Sequence, residues 1–385
     1  QERFLRDRAM GAFRELLQEK VPVGAPVMRP DRSNGTDRPR PSRPGQFLRR
    51  GVESNFAHPA CHLLWNGLIS ALCADSGAVR WRDDRGEEPI VSVFQERYGP
   101  GGVSFFYREE GGKLTPLTMA PLWEDGDFSW CFDGTGAQWG RNDGAMKAVL
   151  RLTLPKGERG ALWTVEVSGA APGELICYLE PQLSARADYQ AHPAYSKLSL
   201  KSMAQTQGIT FLRRPKKGER QAALSVQWDR LGAQWDTSRE TALGRGGLRR
   251  LEQALEKPAA GNVGAVVDPC CLVRFSNDGK SSLTLHLALA FEDGIEQAQQ
   301  TAKKILTGHI SESAGLEGEM RKLQLSAGEG ERAMELLSAL AFPHDNAHKV
   351  PQEALWPYGV SGDLPIALAY PPEEEGKADL FPLKA

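Results

Sequence analysis

Two stretches of this 385-residue chain gather side chains that could hold a sugar. In the first, Asp188, Tyr189, His192, Tyr195 and Ser196 share one loop. It follows the apolar strand pattern Leu175-Ile176-Cys177-Tyr178 and the segment Glu180-Pro181-Gln182-Leu183. Carboxylate, imidazole and hydroxyl groups bond sugar hydroxyls, and a phenol ring covers the C–H face of a pyranose. The same residues could instead fold His192 and Tyr195 back onto a sheet, where backbone would satisfy their polar atoms. In the second stretch, Trp356 and Tyr358 flank a glycine-rich turn, Gly359-Val360-Ser361-Gly362, that presents Asp363. A ring stacked on a sugar beside a carboxylate that accepts two hydroxyl hydrogens is a common grip. Asp363 could equally cap a helix with Pro365 in its first turn. A third stretch, Phe211-Leu212-Arg213-Arg214-Pro215-Lys216-Lys217, reads as a solvated turn.

Spacing argues against other chemistry. His344 and His348 are four apart, but Pro343 and Asp345-Asn346 make that segment a turn rather than a metal-binding helix. Asp125, Asp127 and Asp133 fail as a calcium loop, because Trp130 stands where such a loop needs Gly. In Gly134-Thr135-Gly136-Ala137-Gln138-Trp139-Gly140 the third Gly is one residue late for a dinucleotide loop, and a β-turn is the better reading. No nucleophile elbow occurs. The six cysteines, at 61, 73, 131, 177, 270 and 271, show no zinc spacing and are expected as buried, reduced thiols. Cys270 and Cys271 would point to opposite faces of a strand. No metal or organic cofactor is expected, and no catalytic group emerges from these residues alone.

The elements that would position these groups are mostly strands. Between about Leu64 and Ala290, short segments recur with turn residues between them. They are Val91–Phe94, Ser104–Tyr107, Ala148–Leu154, Leu162–Val167, Glu174–Leu179, Ala222–Val226 and Leu283–Leu289. The last alternates cleanly, with Leu283, Leu285, Leu287 and Leu289 on one face. No long amphipathic helix intervenes, so a large antiparallel β-sandwich is expected rather than a parallel sheet. Helical periodicity appears at residues 1–20, Ile295–Leu306, 314–323 and Glu329–Leu340, the last with Ala333, Leu336, Leu337 and Leu340 on one stripe. An Arg- and Pro-rich stretch, Met28–Gly51, reads as an extended loop.

Composition narrows the partners. Lys+Arg 47 against Asp+Glu 49 gives a net charge of -2, so no global field attracts nucleic acid or an anionic membrane. The most apolar run, His62–Ala74, is broken by Asn66 and Gly67 and is too short to cross a bilayer. No signal-peptide pattern opens the chain, and a soluble, cytoplasmic protein is expected.

These stretches, in this order, resemble glycoside hydrolase family 94. The likeness is to its 1,2-β-oligoglucan phosphorylases and to the phosphorylase-like region of cyclic β-1,2-glucan synthases. The loop from Asp188 to His192-Pro193-Ala194-Tyr195 resembles the family's D-x-x-x-H-P-A-F element. Leu17–Pro22 resembles the helix before the sandwich, and Trp65-Asn66-Gly67 resembles its first strand, usually S-N-G. Gly359–Ile366 resembles the G-I-S-G-D-L-P-I stretch that opens an (α/α)6 barrel. Trp65, Tyr195 and Pro357-Tyr358 depart from the usual residues.

The resemblance implies a mainly β fold with α: a galactose-mutarotase-like supersandwich with an N-terminal helix, a helical linker and the start of an (α/α)6 barrel. The expected divisions are 1–51, 52–294, 295–350 and 351–385. Family members cleave a β-linkage with inorganic phosphate as co-substrate, with inversion, releasing α-glucose 1-phosphate. Phosphate is the nucleophile, so one carboxylic acid suffices to protonate the leaving oxygen. That acid lies in a G-G-D-W-N-D-like stretch of the barrel, which has no counterpart here. This chain is therefore expected to supply no catalytic residue of its own. By the same resemblance Asp363 would hold hydroxyls of the glucosyl unit at the cleavage point, with Ser361 and Gly362 shaping its turn. The implied partners are a β-glucan oligosaccharide and the rest of the barrel, in this polypeptide or a second chain; a homodimer is a further option. The competing readings are a non-catalytic carbohydrate-binding or structural sandwich, and a polysaccharide lyase, against which the lack of a basic cleft argues.

Overall fold

The computed structural model describes residues 48–52, 54, 59–83, 102–184, 200–215, 221–243, 248, 251–265, 268–308, 326–341 and 357. All but Pro357 belong to one compact unit, Pro39–Phe342. The sequence readings at 1–20, 91–94 and 314–323 lie outside the described residues.

The unit is an antiparallel β-sandwich, as expected. Its larger sheet has nine strands. One half, in spatial order, is β1 (Leu48–Gly51), β7 (Asp127–Asp133), β8 (Gly136–Asp143), β9 (Met146–Thr153) and β10 (Gly160–Ser168). The order continues through β17 (Leu283–Glu292), β14 (Ala222–Trp228), β13 (Gly208–Arg213) and β12 (Leu200–Gln205). A five-stranded sheet runs β15 (Gln234–Ser238), β16 (Pro269–Asn277), β11 (Gly173–Leu179), β5 (Ser104–Glu109) and β6 (Leu114–Pro116). A three-stranded sheet runs β2 (Cys61–Trp65), β3 (Ile69–Ala74) and β4 (Val79–Asp83).

Period-2 patterning explains how the layers stack. Leu283, Leu285, Leu287 and Leu289 face one continuous core, together with Leu175 and Cys177 of the five-stranded sheet and Leu64 and Trp81 of the small sheet. Aromatic pairs bridge the two larger sheets: Phe105 meets Trp163 at 5.3 Å between ring centroids, and Trp228 meets Phe275 edge-on at 5.8 Å. Asn66 fixes the β2–β3 turn. Its Oδ1 accepts from the Leu68 and Ile69 amides, and its Nδ2 donates to the Pro155 and Glu158 carbonyls at 2.8 Å.

Four helices complete the described unit. Helices α1 (Arg239–Leu243) and α2 (Leu251–Ala254) cover the outer face of the five-stranded sheet, where Phe106, Ile176, Tyr178, Cys270 and Leu272 form a second apolar cluster. Helix α3 (Ile295–Thr307) coincides with the predicted 295–306 periodicity and seats Ala302 and Ile305 on Ala288 and Ala290 of β17. Helix α4 (Ala327–Ala341) packs against β2. Among these described residues no helix is long and apolar enough to cross a membrane.

Three expectations need correction. Phe211, Leu212 and Arg213 are not a solvated turn: they end β13, and Arg213 continues the buried phase of Ile209 and Phe211. Cys131 is half-buried because it faces outward on β7, although none of the six cysteines forms a disulfide. On α4 the covered face carries Gly330 and Met334, while Ala333 and Leu336 are exposed; the helix contacts the sheet one residue out of phase with the apolar stripe.

Candidate functional site

All eight residues singled out for sugar contact lie outside the described residues: Asp188, His192, Tyr195, Trp356, Tyr358, Ser361, Gly362 and Asp363. The chain on either side of the first three, up to Ser184 and from Leu200, is described, and these flanks define the candidate site.

Strand β11 is the centre of the five-stranded sheet, buried on both faces, and it delivers the chain into Glu180-Pro181-Gln182-Leu183-Ser184 without reaching the surface. Glu180 is 2% exposed, and Gln182 and Ser184 are 1% exposed. A buried carboxylate needs partners. The Tyr178 hydroxyl donates to Glu180 Oε1 at 2.7 Å, and Arg239 Nε donates to the same oxygen at 3.1 Å. Arg239, at the start of α1, also approaches Asp268 at 3.5 Å, and its backbone amide donates to the Asp268 carbonyl at 2.9 Å. Burial, reinforced by Glu180, holds the Tyr178 hydroxyl well above its ordinary pKa. Burial works against the Arg239 charge, but Glu180, Tyr178 and Asp268 outweigh it and raise its pKa. This is a rigid, ionic floor rather than a proton-transfer pair.

Arg213 links the two described flanks of residues 185–199. Its Nη1 donates to the Leu183 carbonyl at 2.8 Å, while its backbone pairs with Leu200, where the chain returns as β12. Leu183 adopts φ of 49°, a left-handed conformation costing a non-glycine residue roughly 1 kcal/mol or more, and the Arg213 bond helps to hold it. Beside it, Gln182 Oε1, Gln182 Nε2 and Ser184 Oγ have no hydrogen-bond partner among the described residues. Each such group costs about 1–3 kcal/mol if left unmet.

The other end of β11 carries a second polar group. Arg274 donates to Glu174 Oε2 from Nη2 at 2.7 Å and from Nε at 3.1 Å, and to the Lys257 carbonyl at 2.8 Å. Arg108 donates to the Leu255 carbonyl at 2.5 Å. Arg108, Glu174 and Arg274 line a cleft of about 450 Å³. Their bonds run to one another and to the residues that follow α2, so the cleft reads as a brace for that helix. Among the described residues no cluster of three or more His, Cys, Asp or Glu could hold a metal ion.

Sequence reasoning named Glu180 and Gln182 as the lead-in to that segment, placed Arg213 in a solvated turn and missed Arg239 and Asp268. Arg213 was detectable, since it follows Ile209 and Phe211 in phase. Arg239 and Asp268 were not, because nothing local in a sequence pairs Glu180 with a residue 59 positions away.

Residues 46–307 match the supersandwich domain of glycosyl hydrolase 94. Among curated protein sequences none matches. Among solved structures, a bacterial glucoamylase complexed with acarbose is similar at TM-score 0.49 and 8% identity, over 76% of this chain and 44% of that one. A protein assigned as a kojibiose phosphorylase from the human microbiome is similar at TM-score 0.37 and 9% identity, over 77% and 38%. One assigned as an aldose 1-epimerase from Escherichia coli K12 is similar at TM-score 0.35 and 10% identity, over 61% and 99%. The chain thus spans less than half the length of the first two.

Proposed function

The chain belongs to the glycosyl hydrolase 94 family through its supersandwich domain, and on that basis we propose that it is the sandwich and linker portion of an inverting phosphorylase of β-1,2-linked glucooligosaccharides. The observation that carries this reading is the family match across 46–307, which contains the whole sandwich and α3. The β-1,2 linkage rests on the resemblance of the segments around His192 and Asp363.

In the proposed reaction, inorganic phosphate attacks the anomeric carbon from the face opposite the departing oxygen. One carboxylic acid gives its proton to that oxygen, the glycosidic C–O bond breaks, and α-glucose 1-phosphate leaves with the shortened glucan. The acid is supplied from outside this chain. Within the chain, Asp363 binds glucosyl hydroxyls, Ser361 and Gly362 shape its turn, and Trp356 and Tyr358 stack on the sugar. Asp188, His192 and Tyr195, in the segment between Ser184 and Leu200, are taken by the same resemblance as further glucan contacts. Residues 295–350 would serve as linker and 351–385 as the opening of the barrel, in a cytoplasmic enzyme.

The test incubates β-1,2-linked glucooligosaccharides and phosphate with the chain alone and with a polypeptide that supplies the rest of the barrel. Glucose 1-phosphate is expected only from the pair. Release by the chain alone would place the acid within these residues. No release from a folded pair would sink the phosphorylase reading and leave a non-catalytic carbohydrate-binding sandwich.

A further inference from the structure

Gln182 and Ser184 stand apart from the other buried polar groups at the end of β11. Glu180 is met by Tyr178 and Arg239, and Arg213 by the Leu183 carbonyl. The carboxamide of Gln182 and the hydroxyl of Ser184 are as deeply buried, yet three of their polar atoms meet no partner among the described residues. Buried polar groups in native proteins are nearly always satisfied, by protein or by a bound molecule. We propose that Gln182 and Ser184 form a binding site for a neutral hydroxyl oxygen, supplied either by sequestered water or by a sugar hydroxyl.

The donor and acceptor inventory selects that chemistry. The carboxamide offers an acceptor oxygen and two N–H donors, and the serine hydroxyl both donates and accepts. A cation would meet Gln182 Oε1 and Ser184 Oγ but leave Nε2–H stranded. An anion would meet Nε2–H and leave Oε1 stranded. An O–H group donates to Oε1 and accepts from Nε2 or from Ser184, so hydroxyl oxygens can answer all three atoms where a bare ion cannot. Charge gives an ion no reason to enter, since Glu180 and Arg239 already face one another in an ion pair of 3.1 Å. Water enclosed by two to four polar partners is an ordinary structural component, and a glucosyl hydroxyl presents the same atoms. The sugar source rests on the proposed function; the water source does not.

A near-atomic-resolution crystal structure of the chain, with and without a β-1,2-linked glucotriose, tests the site directly. An oxygen within hydrogen-bond distance of Gln182 and Ser184 is expected, and its absence from both crystals would overturn the site. Thermal unfolding gives a second readout. Gln182→Met, which keeps the length and removes the polar atoms, should lower the melting temperature by about 3–6 °C, with Ser184→Ala following in the same direction. A rise in both variants would mean the groups were unpaired and would also overturn the site. If Gln182→Met does not fold, Ser184→Ala and the electron density decide. The trisaccharide raising the melting temperature of the parent but not of Gln182→Met identifies the source as sugar. Oxygen density with no such shift identifies it as water, and the site then stands whether or not the glucan reading does.

Discussion

Two buried titratable residues near the start of the sandwich oppose one another across the same pH range. Asp75, after β3, accepts from Ser54 Oγ at 2.5 Å and from the Ala60 amide at 2.8 Å, but burial prevails over these bonds and pushes its pKa up from 3.8 to about 6. His62 stacks on Phe132 at 5.2 Å and donates from Nε2 to the Asp133 carbonyl at 3.0 Å, while burial drives its pKa down from 6.5 to about 4. Between pH 4 and 6 the folded state binds more protons than the unfolded state at Asp75, so that carboxyl lowers stability as pH rises. At His62 the folded state binds fewer, so the imidazole raises stability as pH rises. Each amounts to about 3 kcal/mol over the window, and the two nearly cancel. Urea denaturation from pH 4 to 6.5 should therefore give a nearly flat profile for the parent. Asp75→Asn should become more stable toward pH 6.5, and His62→Gln less stable; parallel slopes in the two variants would contradict both assignments. At the same scale, Arg239→Met should cost about 3–5 kcal/mol by stranding the Glu180 charge, and adding Glu180→Leu should recover much of it. Equilibrium unfolding of the single and double variants measures the coupling.

Helix α3 sits on the nine-stranded sheet because that patch has almost no side chains in the way. Ala288 and Ala290 are small, and Gly160 has no Cβ; one built there would lie 2.3 Å from Ile305 Cδ1 and 2.4 Å from the Leu289 carbonyl oxygen. Gly160→Ala should thus destabilise by about 1–3 kcal/mol through overpacking. Ile305→Val should relieve only part of it, since the carbonyl contact is backbone and cannot retreat. Thermal melts of the single and double variants check this. The tie made by Arg213 predicts a local effect instead. Arg213→Met loses a charge-assisted bond worth about 1.5–3 kcal/mol, and limited proteolysis between Ser184 and Leu200 should accelerate more than global unfolding does. Equal acceleration would mean that Arg213 supports the whole sheet rather than the loop ends. These elements were unevenly legible. The alternating leucines of β17 announce a one-sided strand, and the 295–306 periodicity announces α3. Strand β16 is buried on both faces, so Cys270-Cys271-Leu272-Val273 alternates with nothing. Edge strand β12, Leu-Lys-Ser-Met-Ala-Gln, has too few apolar residues to signal itself.

Sheet order was beyond the reach of local pattern, and it has consequences for the whole molecule. The last strand, β17, lies in the middle of the nine-stranded sheet, hydrogen-bonded to β10 on one side and β14 on the other. Until it inserts, the chain holds two separate antiparallel ribbons, β1 with β7–β10 and β12–β14, each with an unpaired inner edge. Leu285, Leu287 and Leu289 carry the same dependence into the core, where they are fully buried between the sheets. The domain cannot gain stability strand by strand from its N-terminus, because the pairings that unite it are among its most non-local. A chain ended at Asp278, before β17, should lack a cooperative unfolding transition and should aggregate, although it retains all sixteen of the other described strands. Supplying residues 279–308 as a separate peptide should restore a cooperative melt and quench exposed-hydrophobe dye binding, since it returns both β17 and its α3 cover. A truncated chain that melts cooperatively by itself would show that the two ribbons fold as independent halves, with β17 a bridge between finished parts rather than the strand that completes them.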